Sequence, residues 1–222
     1  MDSDTFWNAI ALVLVIEGLL PLFSPGGWRK GFGQLMQLRD GQLRFFGLCS
    51  ILLGLFLLWL LAYSYTKRFT SLAHFWLGIS LSLAPVAAWI ALRGDLRWPP
   101  VLLALAVLLW VAGFDIIYAC QDVDFDRRAG LRSVPERWGI RRALQVAAAC
   151  HALMIVPLVM LGTVYPLGPI YFAGVAAVAV LLAYEHALVR PDDLTRVNVA
   201  FFQVNVIISL GLLTVAVVDL LV

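Results

Sequence analysis

Charge is the scarcest commodity in this chain. Of its 222 residues only 14% are Asp, Glu, Lys or Arg, while 62% are hydrophobic. A net charge of +2 with no Lys-rich tract excludes an electrostatic nucleic-acid surface. Cysteine is nearly absent too. Cys49, Cys120 and Cys150 lie in or beside apolar runs with no CxxC or His spacing around them, which excludes a disulfide framework and a Cys-based metal centre. They read as small buried hydrophobes in reduced surroundings. There is no basic n-region before the first apolar run, where Asp2 and Asp4 stand, and no convincing small-residue cleavage site. That run therefore reads as a retained helix rather than a signal peptide. A Gly-rich nucleotide loop, GxSxG, HExxH, internal repeats and low-complexity tracts are all missing.

What the chain has instead is apolar length. A mean hydropathy of +0.91 and repeated apolar runs of about twenty residues specify an all-α, polytopic membrane helix bundle. About seven transmembrane helices are expected: 5–23, 43–62, 72–92, a fourth beginning at Pro99, 140–162, 166–188 and 197–222. Ser24-Pro-Gly-Gly27 is expected to end the first helix, and 28–38 to lie on the membrane as an amphipathic segment with Arg29, Lys30 and Arg39 facing water. Glu17, near the end of the first span, reads as reaching the interface or pairing with a neighbouring helix. Tyr63 to Thr70 reads as a polar hinge. His74 stands near the start of the third span and Pro85 within it. His151 reads as a hydrogen-bonded core histidine, and Asn205 as interhelical glue.

Four of the 14 acidic residues fall within twelve positions, Asp115-Ile-Ile-Tyr118-Ala-Cys-Gln-Asp122-Val-Asp124-Phe-Asp126, at the end of the fourth apolar run. Asp115, Tyr118, Asp122 and Asp126 follow one another at steps of three, four and four, so on a continuing helix they share a face that Asp124 does not. Carboxylates one turn apart at the end of a span suit a hard cation such as Mg²⁺. Arg127, Arg128, Arg132, Arg137, Arg141 and Arg142 follow, and acids beside arginines suggest a diphosphate site. The plainer alternative is a solvated helix end whose acids pair with those arginines.

Basic residues set the orientation. With the acidic loop in the cytoplasm, Lys67, Arg68, the six arginines, Arg190 and Arg196 are inside, ten in all. Arg29, Lys30, Arg39, Arg44, Arg93 and Arg97 are outside. The chain obeys the rule from Tyr63 onward, and the first hairpin disobeys it. Two segments of unlike origin are therefore expected, 1–62 and 63–222.

The stretches FWNAIALVLVIEGLLPLFSP and GWRK…QLRFFGLCSILLGL resemble a small bacterial inner-membrane family with two helices and no assigned chemistry. From Tyr63 to Val222, YSYTKRFTSLAHFWLGISLSLAPVAAWIAL and DIIYACQDVDFDRRAGLRSVPERWG resemble the UbiA superfamily of intramembrane prenyltransferases, in the branch that prenylates 4-hydroxybenzoate or a related aromatic acid. The resemblance implies a multi-pass protein of the bacterial inner (cytoplasmic) membrane, acting in quinone biosynthesis. Its substrates would be a polyprenyl diphosphate and an aromatic acid, with Mg²⁺ as cofactor. Asp115, Tyr118, Asp122 and Asp126 would form the catalytic face, with Asp122 and Asp126 holding the metal. Lys67 and Arg68 would hold the diphosphate; Arg128, Arg132 and Arg137 would hold the diphosphate or the acceptor carboxylate. Arg141 and Arg142 read better as positive-inside anchors. The family's first aspartate motif, N-D-x-x-D-x-x-x-D, has no counterpart, since the sequence contains no Asn-Asp pair. Two alternatives to an independent enzyme therefore stay open: a catalytically silent membrane protein, and a half-enzyme whose missing helices come from a second chain.

Overall fold

The computed structural model describes residues 14–15, 17–19 and 21–222; side chains 55–64 within it are not described. Most of the first expected span, including Asn8, lies outside the described residues. The chain divides between Gly47 and Leu48 into two compact units. In the first, Glu17 is helical and exposed. Helix α1 (Pro25–Leu35) begins directly at the expected break, because Pro25 occupies its first turn, where no amide hydrogen bond is lost. Pro-Gly-Gly thus opens a helix instead of only closing one. Trp28 stacks on Phe32 one turn later, at 5.1 Å between ring centroids.

Helix α2 (Asp40–Phe69) runs across the division between the units. It also runs through the expected hinge. Tyr63 to Phe69 contains neither Gly nor Pro, so nothing in it stops the helix, and the break comes only at Thr70.

The second unit is a bundle of apolar helices: α3 (Ala73–Arg93), α4 (Trp98–Ala119), α7 (Ile140–Val164), α8 (Pro169–Leu188) and α9 (Asn205–Leu221). Gly94, in the left-handed conformation (φ 73°), turns the chain from α3 to α4. A 3₁₀ turn, Cys120–Asp122, and α5 (Val123–Ala129) prolong α4, and the short α6 (Val134–Trp138) leads into α7. A π-helical turn, Val199–Val204, opens α9. Among the described residues five helical segments are long and apolar enough to cross a membrane: 73–93, 98–129, 140–164, 169–188 and 199–221. They match the last five expected spans to within a few residues. No strand is formed among the described residues beyond one bridge, Arg190 with Asp193.

Two apolar cores lie along α4. One gathers Ile116, Ile117, Val134, Ala143, Ala147 and Val197 beneath the acidic stretch. The other gathers Ala106, Met154, Leu158, Tyr171, Val178 and Ile208 towards the opposite end of the helix. Small residues bring helices close: a Cβ on Gly78 of α3 would lie 2.5 Å from the Leu108 carbonyl oxygen of α4. Cys120 and Cys150 are buried as expected, but Cys49 is exposed, and all three are free thiols. Apolar residues of a membrane helix can face lipid as well as core, so apolar context alone does not bury Cys49.

Candidate functional site

Because α4 continues through the 3₁₀ turn into α5, the acidic stretch keeps its helical face. Asp115 and Asp126 are buried, Tyr118 and Asp122 half-buried, and Asp124 exposed. Lys67 reaches this face from the last turn of α2. With Asp115, Tyr118, Asp122, Phe114 and Phe201 it lines a cavity of about 270 Å³ whose lining combines charged, aromatic and aliphatic side chains.

Three of the four acids have distinct partners. Asp126 is 1% exposed, and its Oδ2 lies 3.7 Å from the Lys67 ammonium with no hydrogen-bond donor closer. Asp115 Oδ2 lies 2.6 Å from His74 Nδ1, and the fully buried His74 ring is held on its other side by the Val134 amide, 3.3 Å from Nε2. That amide donates, so Nε2 is the bare nitrogen and Nδ1 carries the proton given to Asp115. Val134 opens α6, so His74 also satisfies an amide that the helix itself leaves unpaired. Asp124 approaches Arg127 at 4.0 Å. On the buried face Lys67 thus pairs with Asp126 and His74 with Asp115.

The basic loop is latched onto this assembly. Gly130 (φ 65°) ends α5, and the Leu131 amide returns to the Asp126 carbonyl at 2.8 Å. Arg132 donates its amide to the Lys67 carbonyl at 2.6 Å and Nη1 to the Phe69 carbonyl at 3.1 Å, capping the end of α2. The Ser133 hydroxyl accepts the Glu136 amide at 3.2 Å and starts α6.

Of the expected site residues, Lys67, Asp115, Tyr118 and Asp122 line one cavity, and Asp126 adjoins it through Lys67. The arginines stand apart. Arg132 and Arg137 line a separate, more open pocket with Arg127 and Glu136. Arg128 is exposed and donates Nε to the Asp124 carbonyl at 3.1 Å. Arg68 is exposed, its guanidinium 5.2 Å from the centre of the Tyr65 ring. His74 and Phe201 are site residues that sequence reasoning did not select. His74 was legible only as a polar residue inside an apolar span.

A second, apolar cavity of about 530 Å³ lies among α3, α4, α7, α8 and α9, lined by Trp89, Trp110, Met154, Leu158, Tyr171 and Ile208. A row of packed rings runs from the lining of one cavity to that of the other: Trp110 to Phe114 at 5.6 Å, Phe114 to Phe201 at 5.4 Å, and Phe201 to Tyr118 at 4.5 Å between centroids.

Comparison with known proteins places this geometry. Residues 42–207 match the model of the UbiA prenyltransferase family. Residues 6–61 match a family described as an uncharacterized protein conserved in bacteria, so the two matches overlap within α2. Curated relatives include the 4-hydroxybenzoate octaprenyltransferase of Nitrosospira multiformis, 32% identical over 144 residues, covering 65% of this chain and 49% of that protein. The Marinobacter nauticus protein of the same name is 36% identical, covering 64% of this chain and 48% of its own length. A solved structure, the apo form of a UbiA homolog from Aeropyrum pernix K1, is similar with TM-score 0.59 and 32% identity, covering 71% of this chain and 60% of that one. The chain spans about half the length of the curated relatives it matches.

Proposed function

This chain belongs to the UbiA prenyltransferase family. From that premise we propose that it transfers a polyprenyl group from a polyprenyl diphosphate to an aromatic acid such as 4-hydroxybenzoate, a reaction of quinone biosynthesis. We place it in the bacterial inner membrane with the acidic loop towards the cytoplasm, and take 63–222 as the prenyltransferase region behind a separate hairpin, 1–62. The observation that carries the reading is the pair of cavities in one helix bundle, one with Lys67 and the aspartates, the other apolar. Such a pair suits a ligand with a phosphorylated head and a hydrocarbon tail.

In this reading Lys67 binds the diphosphate, and the Asp122 and Asp126 carboxylates would hold Mg²⁺ against it. The fit rests on Asp126 Oδ2, a buried oxygen with no hydrogen-bond partner. Among the described residues no three His, Cys, Asp or Glu side chains converge closely enough to hold a metal. Two carboxylates suit Mg²⁺ that takes its remaining ligands from phosphate and water, not an all-protein cage. When bound, the ion neutralises charge on the departing diphosphate. The chain's own groups do the rest. Lys67 stabilises the leaving group, and Asp115, fixed by His74, keeps the wall acidic. The rings of Phe114, Tyr118 and Phe201 exclude water while an allylic cation develops and the electron-rich acceptor ring attacks it. Arg68, Arg128, Arg132 and Arg137 are the candidates to gather the diphosphate or the acceptor carboxylate from the cytoplasmic side.

The test is prenyl transfer by purified protein in lipid. Asp122→Ala and Asp126→Ala should each abolish it, and transfer untouched by both changes would overturn the site. A second reading is favoured by the lack of any Asn-Asp pair in these 222 residues. Here another polypeptide supplies the further acids, and co-purification with a short polytopic partner would show it.

A further inference from the structure

Glu185 sits in the last turn of α8 at 0% exposure, within a helix long and apolar enough to cross a membrane, and nothing in the proposed reaction uses it. It belongs to a cluster joining four helices: buried His151 of α7, Glu185 of α8 and Asn205 of α9, with half-buried His186 of α8 and Trp110 of α4. Asn205 is its centre. Its Oδ1 accepts the Trp110 indole N–H at 2.7 Å, and its Nδ2 donates to Glu185 Oε1 at 3.2 Å and to the Phe201 carbonyl at 2.9 Å. His151 Nε2 faces the Trp110 carbonyl at 3.2 Å; a carbonyl only accepts, so Nε2 carries a proton. His151 Nδ1 lies 3.0 Å from His186 Nε2 and 3.6 Å from Glu185 Oε2, an oxygen with no hydrogen-bond partner of its own. A bare Nδ1 facing a carboxylate would set lone pairs against each other and leave a net charge in the bundle. One proton shared between Glu185 and the imidazoles makes the cluster neutral. Gly113 makes room for it, since a Cβ there would overlap the His151 ring.

Two of the groups Asn205 holds belong to residues of the ring row. Trp110 packs edge-on against Phe114. Phe201, whose carbonyl Asn205 grips inside the π-helical turn, packs on Tyr118 and lines the polar cavity. We propose that Asn205 and Glu185 are positioning residues that set the aromatic wall of the polar cavity, fixing Phe201 and Trp110 from behind through this neutral hydrogen-bond cluster. What the wall is for rests on the prenyl-transfer reading: ring faces held towards a developing cation. That the cluster sets the wall does not rest on it.

The experiment places 4-fluorophenylalanine at position 201 of the full chain in lipid nanodiscs and reads its ¹⁹F resonance. One narrow line is expected in the otherwise native protein and in Glu185→Gln, whose amide offers an oxygen to Asn205 and an N–H to His151. The line should broaden or split in Glu185→Leu, in Asn205→Leu and in Trp110→Phe, which keeps an aromatic ring but removes the indole N–H. Trp110→Phe keeps the test decisive if a more disruptive variant fails to fold. The same narrow line in every folded variant would overturn the proposal. In transfer assays Asn205→Leu should lower kcat about tenfold with KM for the diphosphate donor unchanged, and Glu185→Gln should retain kcat. A purely structural cluster would lower thermal stability and leave kcat alone, which would count against a positioning role. Absence of transfer in the native chain would refute the prenyl-transfer reading and leave the fluorine result to decide this one.

Discussion

Asp126 and Lys67 set the sharpest expectation at the residue scale. Asp126 is enclosed and Lys67 is its ion-pair partner, so Lys67→Met leaves a buried carboxylate without that partner. The cost should be about 3 kcal/mol, and adding Asp126→Asn should recover part of it. Thermal unfolding in detergent checks both, and an unchanged midpoint in Lys67→Met would contradict the pairing. Asp193, in the polar turn between α8 and the last span, offers a pH test. The Thr195 hydroxyl and amide hold its carboxyl below the usual carboxylate range. A lowered folded value means the turn gains stability above the unfolded value of 3.8 and loses it as pH falls through the folded one. The protection of the Thr195 amide, its hydrogen-exchange rate taken relative to the intrinsic rate at the same pH, should therefore fall in acid in the native chain but not in Asp193→Asn. The face formed by Asp115, Tyr118, Asp122 and Asp126 was legible from spacing alone, because a helix repeats every 3.6 residues and these positions track it. His74 was not. Its partner is 41 residues away on another helix, and no local rule relates them.

At the scale of elements, α3 matters because it carries His74 to Asp115. The close approach of Gly78 to the Leu108 carbonyl sets that spacing, and a backbone atom cannot rotate out of the way. Gly78→Val should cost about 1–3 kcal/mol by overpacking and displace His74 from Asp115. A melting temperature equal to that of the native protein would show that α3 and α4 are not in close contact there. The spans themselves were legible because apolar length is a strong signal, and their ends moved by only a few residues. Two local features were misread. A polar stretch, Tyr63 to Phe69, stayed helical for want of a breaker. Pro25 began a helix because its missing amide proton costs nothing in the first turn. The π-helical turn at Val199–Val204 had no sequence signal; Asn205, expected only as glue between helices, bonds the Ala200 and Phe201 carbonyls within that turn.

For the whole molecule, the family was legible from the block around the aspartates, and the matched region of 42–207 reaches back into the segment that also matches the bacterial hairpin family. Sequence reasoning joined the arginines to the aspartates because they are neighbours in the chain. The fold separates them: the basic loop turns at Gly130 and carries Arg132 and Arg137 to a pocket of their own. The proposal to be tested is that the aspartate face, Lys67 and the two cavities carry out prenyl transfer. The most direct test incubates purified protein in lipid with Mg²⁺, a polyprenyl diphosphate and 4-hydroxybenzoate. Prenylated product that disappears with EDTA and with Asp122→Ala is the predicted result. Folded, pure protein that yields none, or that yields it equally as Asp122→Ala, would contradict it.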